Sequence, residues 1–452
     1  MNKKIDLGNG NINRLLWEFS LPAIIGMSVN ALYNLISRIF VGQGVNSLAI
    51  AAVTVALPIM TITFAVCMLI GIGGMAMISI RLGEQKKEEA NKIAGNAALL
   101  LIVLPFLLTC IYFLYSDPLL RLFGATSPEV LLYSRDYIHI IMLGSVPAAL
   151  GYGLNNFIRA EGNPRFAMFS QIIGAVSSVI LNYVFIFTLD MGIKGSALGT
   201  VLGQLISTIW VISYFLRGTS QIKITINSMK PQVRIALKIM AIGFAPFAMQ
   251  IASSVQQTIL NQIVLAYGGD LALSAVGIIM SVGMILIMPI VGISQGAQPI
   301  IGYNFGAKQY ERVKETLKKA IMAGTALAIT SYLVIIIFAA PISALFSKGD
   351  TALTQLTAHA LSIFFAFLPI VGFHIIGANY FQAVGKPVQS TILSSARQVL
   401  IFIPALLILP NFWGIEGAWW SSPISDALSV LLTATLLFFE MRNLPQKSNL
   451  AS

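Results

Sequence analysis

Runs of apolar residues long enough to cross a lipid bilayer dominate this chain. A membrane-spanning helix takes roughly 20 such residues. Twelve runs qualify, at about 15–41, 51–80, 93–116, 133–158, 166–189, 195–216, 235–266, 272–302, 317–346, 355–383, 391–410 and 416–440. Hydrocarbon offers no partner to a loose N–H or C=O, so runs of this length form helices. A membrane barrel would show short alternating segments instead. Only 10% of the 452 residues are charged, against about 25% in a soluble domain. That is too little charge to cover a water-facing surface, which excludes a soluble enzyme, a disordered tail and a nucleic-acid module. The sequence predicts an all-α polytopic membrane protein.

The 28 basic residues outnumber the 17 acidic ones, for a formal charge of +11. Their placement explains the excess. Twenty-two fall on one set of termini and loops, from Lys3, Lys4 and Arg14 to Arg442 and Lys447; four (Arg121, Arg135, Lys194, Lys348) fall on the other, and Arg38 and Arg397 lie within spans. Cytoplasmic loops retain Lys and Arg, so both termini are expected inside a multi-pass cell (inner) membrane protein. No nucleic-acid partner is expected. The polar residues 1–14 lead into a run far longer than a signal-peptide core, so the first span is expected to be retained. Cys67 and Cys110 sit in apolar runs, form no CxxC pattern and read as packing residues.

The second half repeats the first at an offset of 222 to 224. Pro22 answers Pro246, Leu48-Ala49 answers Leu271-Ala272, and Gly83 answers Gly306. NNFIRAEGNP (Asn155 to Pro164) answers ANYFQAVGKP (Ala378 to Pro387), and Gly192-Ile193-Lys194-Gly195 answers Gly414-Ile415-Glu416-Gly417. Six spans per copy is an even number, so both copies enter the membrane the same way up. Two pseudo-symmetric six-helix lobes around a central cleft are expected: residues 1–217, a cytoplasmic linker at 218–234, and 235–452. Parallel repeats about a midplane site are a transporter architecture.

The intramembrane charges are not duplicated. Asp426 answers Gln204 across the repeat, Arg397 answers about Gly174, and Arg38 answers Gln262. An ionisable group in hydrocarbon is costly unless paired or hydrated, so it reads as functional. Asp426 is the best candidate for a proton or cation site, roughly 15 Å along its helix from the outer end. A static Asp426–Arg397 pair locking two helices is the competing reading. Arg38 reads as a residue snorkelling to headgroups or lining a site, Glu18 as an i,i+4 partner of Arg14. His374 reads as a hydrogen-bonded core histidine or a proton relay. Asn30, Asn34, Ser37, Asn182, Gln256, Asn261 and Gln262 line a polar cavity or bind helix to helix. Of these, Asn34, Ser37, Arg38, Asn182, Gln256 and Asn261 are the candidate substrate ligands, and Asp426, Arg397 and His374 the candidate ion-coupling set.

Prolines at 22, 58, 147, 246, 289, 299, 369, 404 and 423 fall in or near spans and permit bending. Seventeen Met and 26 Phe supply adaptable apolar surface. GxxxxGK[ST], HExxH and GxSxG are all missing, so neither nucleotide binding nor hydrolysis is expected. Uphill transport would draw on an ion gradient.

The segments LPAIIGMSVNALYNLISRIFVG, GISQGAQPIIGYNFGAKQYERVK, NNFIRAEGNP, NYFQAVGKP and WSSPISDAL together resemble the multidrug and toxic compound extrusion (MATE) family, in its MepA-like, DinF-type bacterial branch. The resemblance spans nearly the whole chain. It implies twelve helices in two lobes about a V-shaped cleft, and antiport of amphipathic, often cationic drugs against H⁺ or Na⁺, with no other cofactor and with a monomeric chain. It also implies an acid in the first span, where Ser37 stands, and another in the fifth, where Asn182 stands. Asp426 matches the acid of the PISD pattern, Arg397 the SxxRQ pattern, and the position of His374 is often Gln in this branch. Coupling is therefore expected in the second lobe. The other readings to weigh are a flippase for lipid-linked precursors, which would need more basic residues in the cleft than Arg38 and Arg397, and a membrane enzyme or channel.

Overall fold

The computed structural model describes residues 6–45, 47–125, 127–218, 220–347 and 350–445, with the side chains at 38, 47, 48, 50 and 51 outside the described set. Lys3, Lys4, Lys348 and Lys447, and the side chain of Arg38, are thus outside it. The first half builds α1 (Ile12–Gly44), α2 (Ser47–Gly83), α3 (Lys87–Leu114), α4 (Ser116–Leu122), α5 (Pro128–Leu143), α6 (Ser145–Ala160), α7 (Pro164–Tyr183) and α8 (Gly192–Leu216). The second builds α9 (Val233–Gly306), α10 (Tyr310–Ser347), α11 (Thr351–Phe364), α12 (Leu368–Ala383), α13 (Pro387–Ser395), α14 (Ile403–Ile408), α15 (Pro410–Trp413) and α16 (Ile415–Asn443). Starts are set locally: Ser127 caps α5 and Asn163 caps α7 by accepting backbone N–H groups, each with a proline at the first helical position.

Nine helices among the described residues are each long and apolar enough to cross a membrane. The bent pairs α5 with α6 and α11 with α12 each supply one crossing more. Gly269 (φ 64°, ψ −164°) breaks α9 into two, which brings the crossings to the expected twelve.

The repeat reaches into backbone detail that the apolar runs do not show. Both bent pairs turn by 50°, at Gly144 and at the equivalent 365–367 segment. Tyr115 (φ −125°, ψ 28°) separates α3 from α4, and its counterpart Phe338 (φ −115°, ψ 16°) interrupts α10. Left-handed residues recur in register as Gln85 with Lys308, Gly162 with Gly385, and Gly192 with Gly414. A single φ above zero is costly for most residues, so their pairing reflects one turn geometry used twice.

The chain divides into two compact units: Met1–Asn9 with Ile25–Phe247, and Gly10–Ile24 with Ala248–Ser452. Of the three divisions, the one between Asn9 and Gly10 precedes α1 and the other two fall inside helices. Helix α1 starts in the second unit and ends in the first, and α9 does the reverse. The repeat-related Pro22 and Pro246 lie within three residues of these two crossing points. Each removes one backbone hydrogen bond from its helix. The first unit packs a core around Tyr112, Tyr137, Ile138 and Met142; the second packs Phe364, Phe365, Phe402, Leu406 and Trp419.

Within the first unit, α7 packs on α8 through glycines. A Cβ on Gly199 would stand 2.7 Å from the backbone N of Asn182, and one on Gly203 2.7 Å from that of Ser178. The repeat equivalents of Gly174, Gly199 and Gly203 are Arg397, Ser421 and Ser425. At these three positions the second half carries side chains where the first has none. There the chain runs α13, then a π-helical segment over Ala396–Phe402, then α14. The other π-helical segment, Val184–Thr188, follows α7 and is not its repeat equivalent.

The linker is fixed to the first unit. Buried Glu161 accepts hydrogen bonds from the backbone N of Gln221 (2.8 Å) and Ile222 (3.2 Å), from Tyr214 Oη (3.2 Å) and from Ser220 Oγ. Asn91 Oδ1 accepts from Lys223 N (2.8 Å), while Asn96 accepts from Gln232 N (2.7 Å) and donates to the carbonyls of Ser228 (3.3 Å) and Lys230 (3.2 Å). The repeat equivalent of Glu161 is Val384, so the second copy has no such carboxylate.

Two outcomes are expected. Gly199→Ala should destabilise the protein by about 1–3 kcal/mol through overpacking, whereas Ser421→Ala should cost about 1 kcal/mol or less; thermal unfolding in detergent reads both. Glu161→Ala should speed amide exchange at Gln221 and Ile222 by about tenfold or more, since each lost bond to a charged acceptor counts for about 1.5–3 kcal/mol, and hydrogen-exchange mass spectrometry would show it.

Candidate functional site

In the second unit Arg397 and Asp426 meet. The sequence left open whether the guanidinium reaches the carboxylate. Arg397 Nε donates to Asp426 Oδ1 at 2.7 Å. The Asp426 side chain is 4% exposed and that of Arg397 25% exposed, so the pair is buried on the acid side and open on the basic side. Ser425 Oγ also donates to the main-chain carbonyl of Arg397 at 2.5 Å. That bond ties α16 to the π-helical segment at the residue where the segment carries its charge. A π-helical turn widens the helix and leaves the i→i+4 ladder interrupted, a feature common at functional sites.

His374 on α12 stands 2.8 Å (Nδ1) from Thr433 Oγ1 on α16 and is buried. Thr433 Oγ1 already donates its one proton to Ser429 O at 2.8 Å. With that proton on Ser429 O, the ring donates from Nδ1–H, which in the neutral imidazole leaves the lone pair on Nε2. The charge of Arg397 acts on the same ring, so α12, α16 and the π-helical segment converge. Gln398 Oε1, Ser429 Oγ and Trp419 Nε1 are buried without a hydrogen-bond partner among the described residues. The signal for Ser425, Ser429 and Thr433 was present in the sequence: with Asp426 they form a polar stripe at helical spacing along an otherwise apolar span.

In the first unit the neutral candidates partly assemble. Tyr33 Oη donates to Thr200 Oγ1 at 2.9 Å, with Ser178 and Ser37 beside the same hydroxyl. Asn182 is fully buried, neither of its amide atoms has a partner among the described residues, and it stands against Gly199. Tyr33, Ser178 and Thr200 were not singled out from the sequence, because a lone Tyr, Ser or Thr in a span carries no distinguishing pattern. Asn34 turns instead onto its own helix, donating to Asn30 O (2.8 Å) and Oδ1 (3.0 Å).

The remaining sequence candidates stay apart. Asn261 Oδ1 accepts from Gln257 Nε2 at 2.8 Å on the same helix, and Gln256 is half-buried on that helix. Arg14 and Glu18 form their i,i+4 pair at 3.0 Å. Among the described residues no cluster of three or more His, Cys, Asp or Glu side chains is placed to hold a metal. An ion here would be met by the single carboxylate of Asp426 and by neutral oxygens.

Comparison with known proteins agrees with this architecture. The MatE family model matches residues 22–184 and 245–407, one match in each copy of the repeat. The multidrug export protein MepA of Staphylococcus haemolyticus (strain JCSC1435) is 28% identical over 433 residues, covering 96% of this chain and 94% of that protein. A structure of the MATE multidrug transporter DinF-BH, solved as a ligand complex, is 36% identical, with TM-score 0.90 over 97% of this chain and 98% of that one. An outward-facing multidrug resistance MATE family transporter of the MOP superfamily has the same fold, with TM-score 0.92 and 23% identity over 98% and 99% of the two chains. With the family model covering most of both repeats, the chain belongs to the MatE family.

Proposed function

We propose that the protein is a cation-coupled antiporter, using H⁺ or Na⁺, that exports amphipathic and often cationic compounds across the cell membrane by alternating access. The similar proteins named above are multidrug exporters, and DinF-BH was solved with a ligand bound. The observation that carries the reading is the Arg397–Asp426 pair, present in one copy of a duplicated scaffold and bonded through one carboxylate oxygen.

A proton arriving at Asp426 cancels the charge that holds the guanidinium. A buried ion pair that loses one partner leaves the other charge uncompensated, at a cost of about 3–5 kcal/mol. Arg397 must then move, and it sits on a helix already loosened by its π-helical turns. The partly exposed guanidinium has somewhere to go. Sodium would act on the same pair by competing for the carboxylate. His374, with its lone pair at Nε2, is the next acceptor along the same wall. The neutral cluster of Tyr33, Ser37, Ser178, Thr200 and Asn182 offers hydrogen bonds without a fixed charge, which suits cargo recognition better than ion coupling. Helices α1 and α9, each running from one unit into the other beside Pro22 and Pro246, are the elements that would bend during the cycle. The distribution of basic residues supports cytoplasmic termini, and one chain is the proposed working unit.

The test is uptake of ethidium by inverted vesicles, with pH and sodium gradients imposed separately. Asp426→Asn should lower gradient-driven accumulation about tenfold or more, while Asp426→Glu keeps part of it, as expected for an acid in a transport path. Equal accumulation by the wild type and Asp426→Asn under both gradients would remove Asp426 from the mechanism. Accumulation that survives collapse of every gradient would overturn antiport.

A further inference from the structure

A second place with ligand chemistry lies on the second unit, away from Asp426. An open surface groove of about 450 Å³ is lined by Trp413, Glu416, Trp420 and Ile424. Small-molecule sites span roughly 300–1,000 Å³, so this volume admits a compact organic guest. Glu416, Trp420 and Ile424 are spaced four apart and share one face of α16. Trp413 joins them from α15 because the chain reverses at Gly414, whose φ of 58° a side chain would resist. Glu416 lies ten residues before Asp426, about 15 Å along the helix. The two carboxylates therefore belong to separate sites.

Aromatic residues at a membrane boundary are common, and indoles alone would prove nothing. What sets this stripe apart is the acid between them. Trp413 is 54% exposed and Trp420 38% exposed, whereas the adjacent Trp419 is fully buried in the core. Glu416 Oε1 meets His359 Nε2 at 2.8 Å, an exposed contact made through one of its two carboxylate oxygens. The repeat supplies an internal comparison. The equivalents of Trp413, Glu416, Trp420 and Ile424 are Met191, Lys194, Leu198 and Leu202, and the equivalent of His359 is Asp136. Lys194 Nζ pairs with Asp136 Oδ2 at 3.2 Å. The same interhelical contact is thus built twice with its polarity reversed, and the copy that carries the acid also carries the indoles.

A ring face bears partial negative charge, and a carboxylate beside two of them supplies a full one; this combination recognises cations that carry apolar groups. We propose that the open Trp413–Glu416–Trp420 groove binds an organic cation with apolar substituents, such as a quaternary ammonium or phosphonium ion. The charge sits against Glu416, and the substituents lie on the two indoles and Ile424. The proposal does not rest on the transport reading, because binding needs no gradient.

The experiment uses the full chain labelled with 5-fluorotryptophan in a non-ionic detergent, with fluorine resonances assigned by single Trp→Phe substitutions. Titration with tetraphenylphosphonium should shift the Trp413 and Trp420 signals saturably and leave Trp17 and Trp210 in place. Glu416→Gln should weaken that binding about fivefold, the scale of one exposed charge contact. An unmoved Trp419 signal in that variant reports an intact core. The proposal fails if the two signals do not shift. It also fails if neutral triphenylphosphine oxide shifts them equally or if Glu416→Gln binds as tightly.

Discussion

A carboxylate surrounded by hydrocarbon must be answered by another group, and in this protein Arg397 answers Asp426 through one bond of 2.7 Å. Most of the local construction serves that contact. The π-helical turns start at Ala396, Ser425 holds the main chain of Arg397, and the polar face of α16 continues through Ser429 and Thr433 to His374. Such a pair adds little net stability, because the desolvation of two ions consumes most of their attraction. In the proposed antiport its use lies in having two states of different charge, each demanding a different position for the guanidinium.

Duplication supplies the frame around that contact. Turns, bends and left-handed residues recur in both copies at matched positions, so the two halves keep one backbone plan. Helix packing is where they part. Gly174, Gly199 and Gly203 let α7 approach α8 closely. Their counterparts Arg397, Ser421 and Ser425 place a charge and two hydroxyls in the corresponding seam. Glycine offers no side-chain chemistry, so the second copy gains a guanidinium and two hydroxyls at positions where the first has none. A similar divergence appears where α8 and α16 begin, with Lys194 and Asp136 in one copy and Glu416 and His359 in the other.

Some of the site could be read in advance because hydrocarbon makes charge conspicuous. Asp426 and Arg397 were visible as the rare ionisable residues inside spans, and their mismatch across the repeat was visible by alignment alone. Tyr33, Thr200 and Ser178 were not, because hydroxyls that bond across helices look no different from hydroxyls that bond to their own turn. Asn34 and Asn261 show the converse: both were plausible cavity residues, and both bond within their own helix. Nothing in the sequence sets Glu161 apart from other loop acids, yet four donors gather on it and bind the linker.

Length and polarity of the runs by themselves determined the helical class, the twelve crossings and the duplication, because a bilayer leaves the backbone no alternative and charge can be counted from the chain. Only the tertiary structure decided that the guanidinium reaches the carboxylate, that the crossing helices α1 and α9 each divide between two units, and that the linker is fixed rather than loose. Those outcomes depend on side-chain direction and on local departures from the regular helix. They amount to a few ångströms across the chain, a scale on which apolar periodicity carries no information.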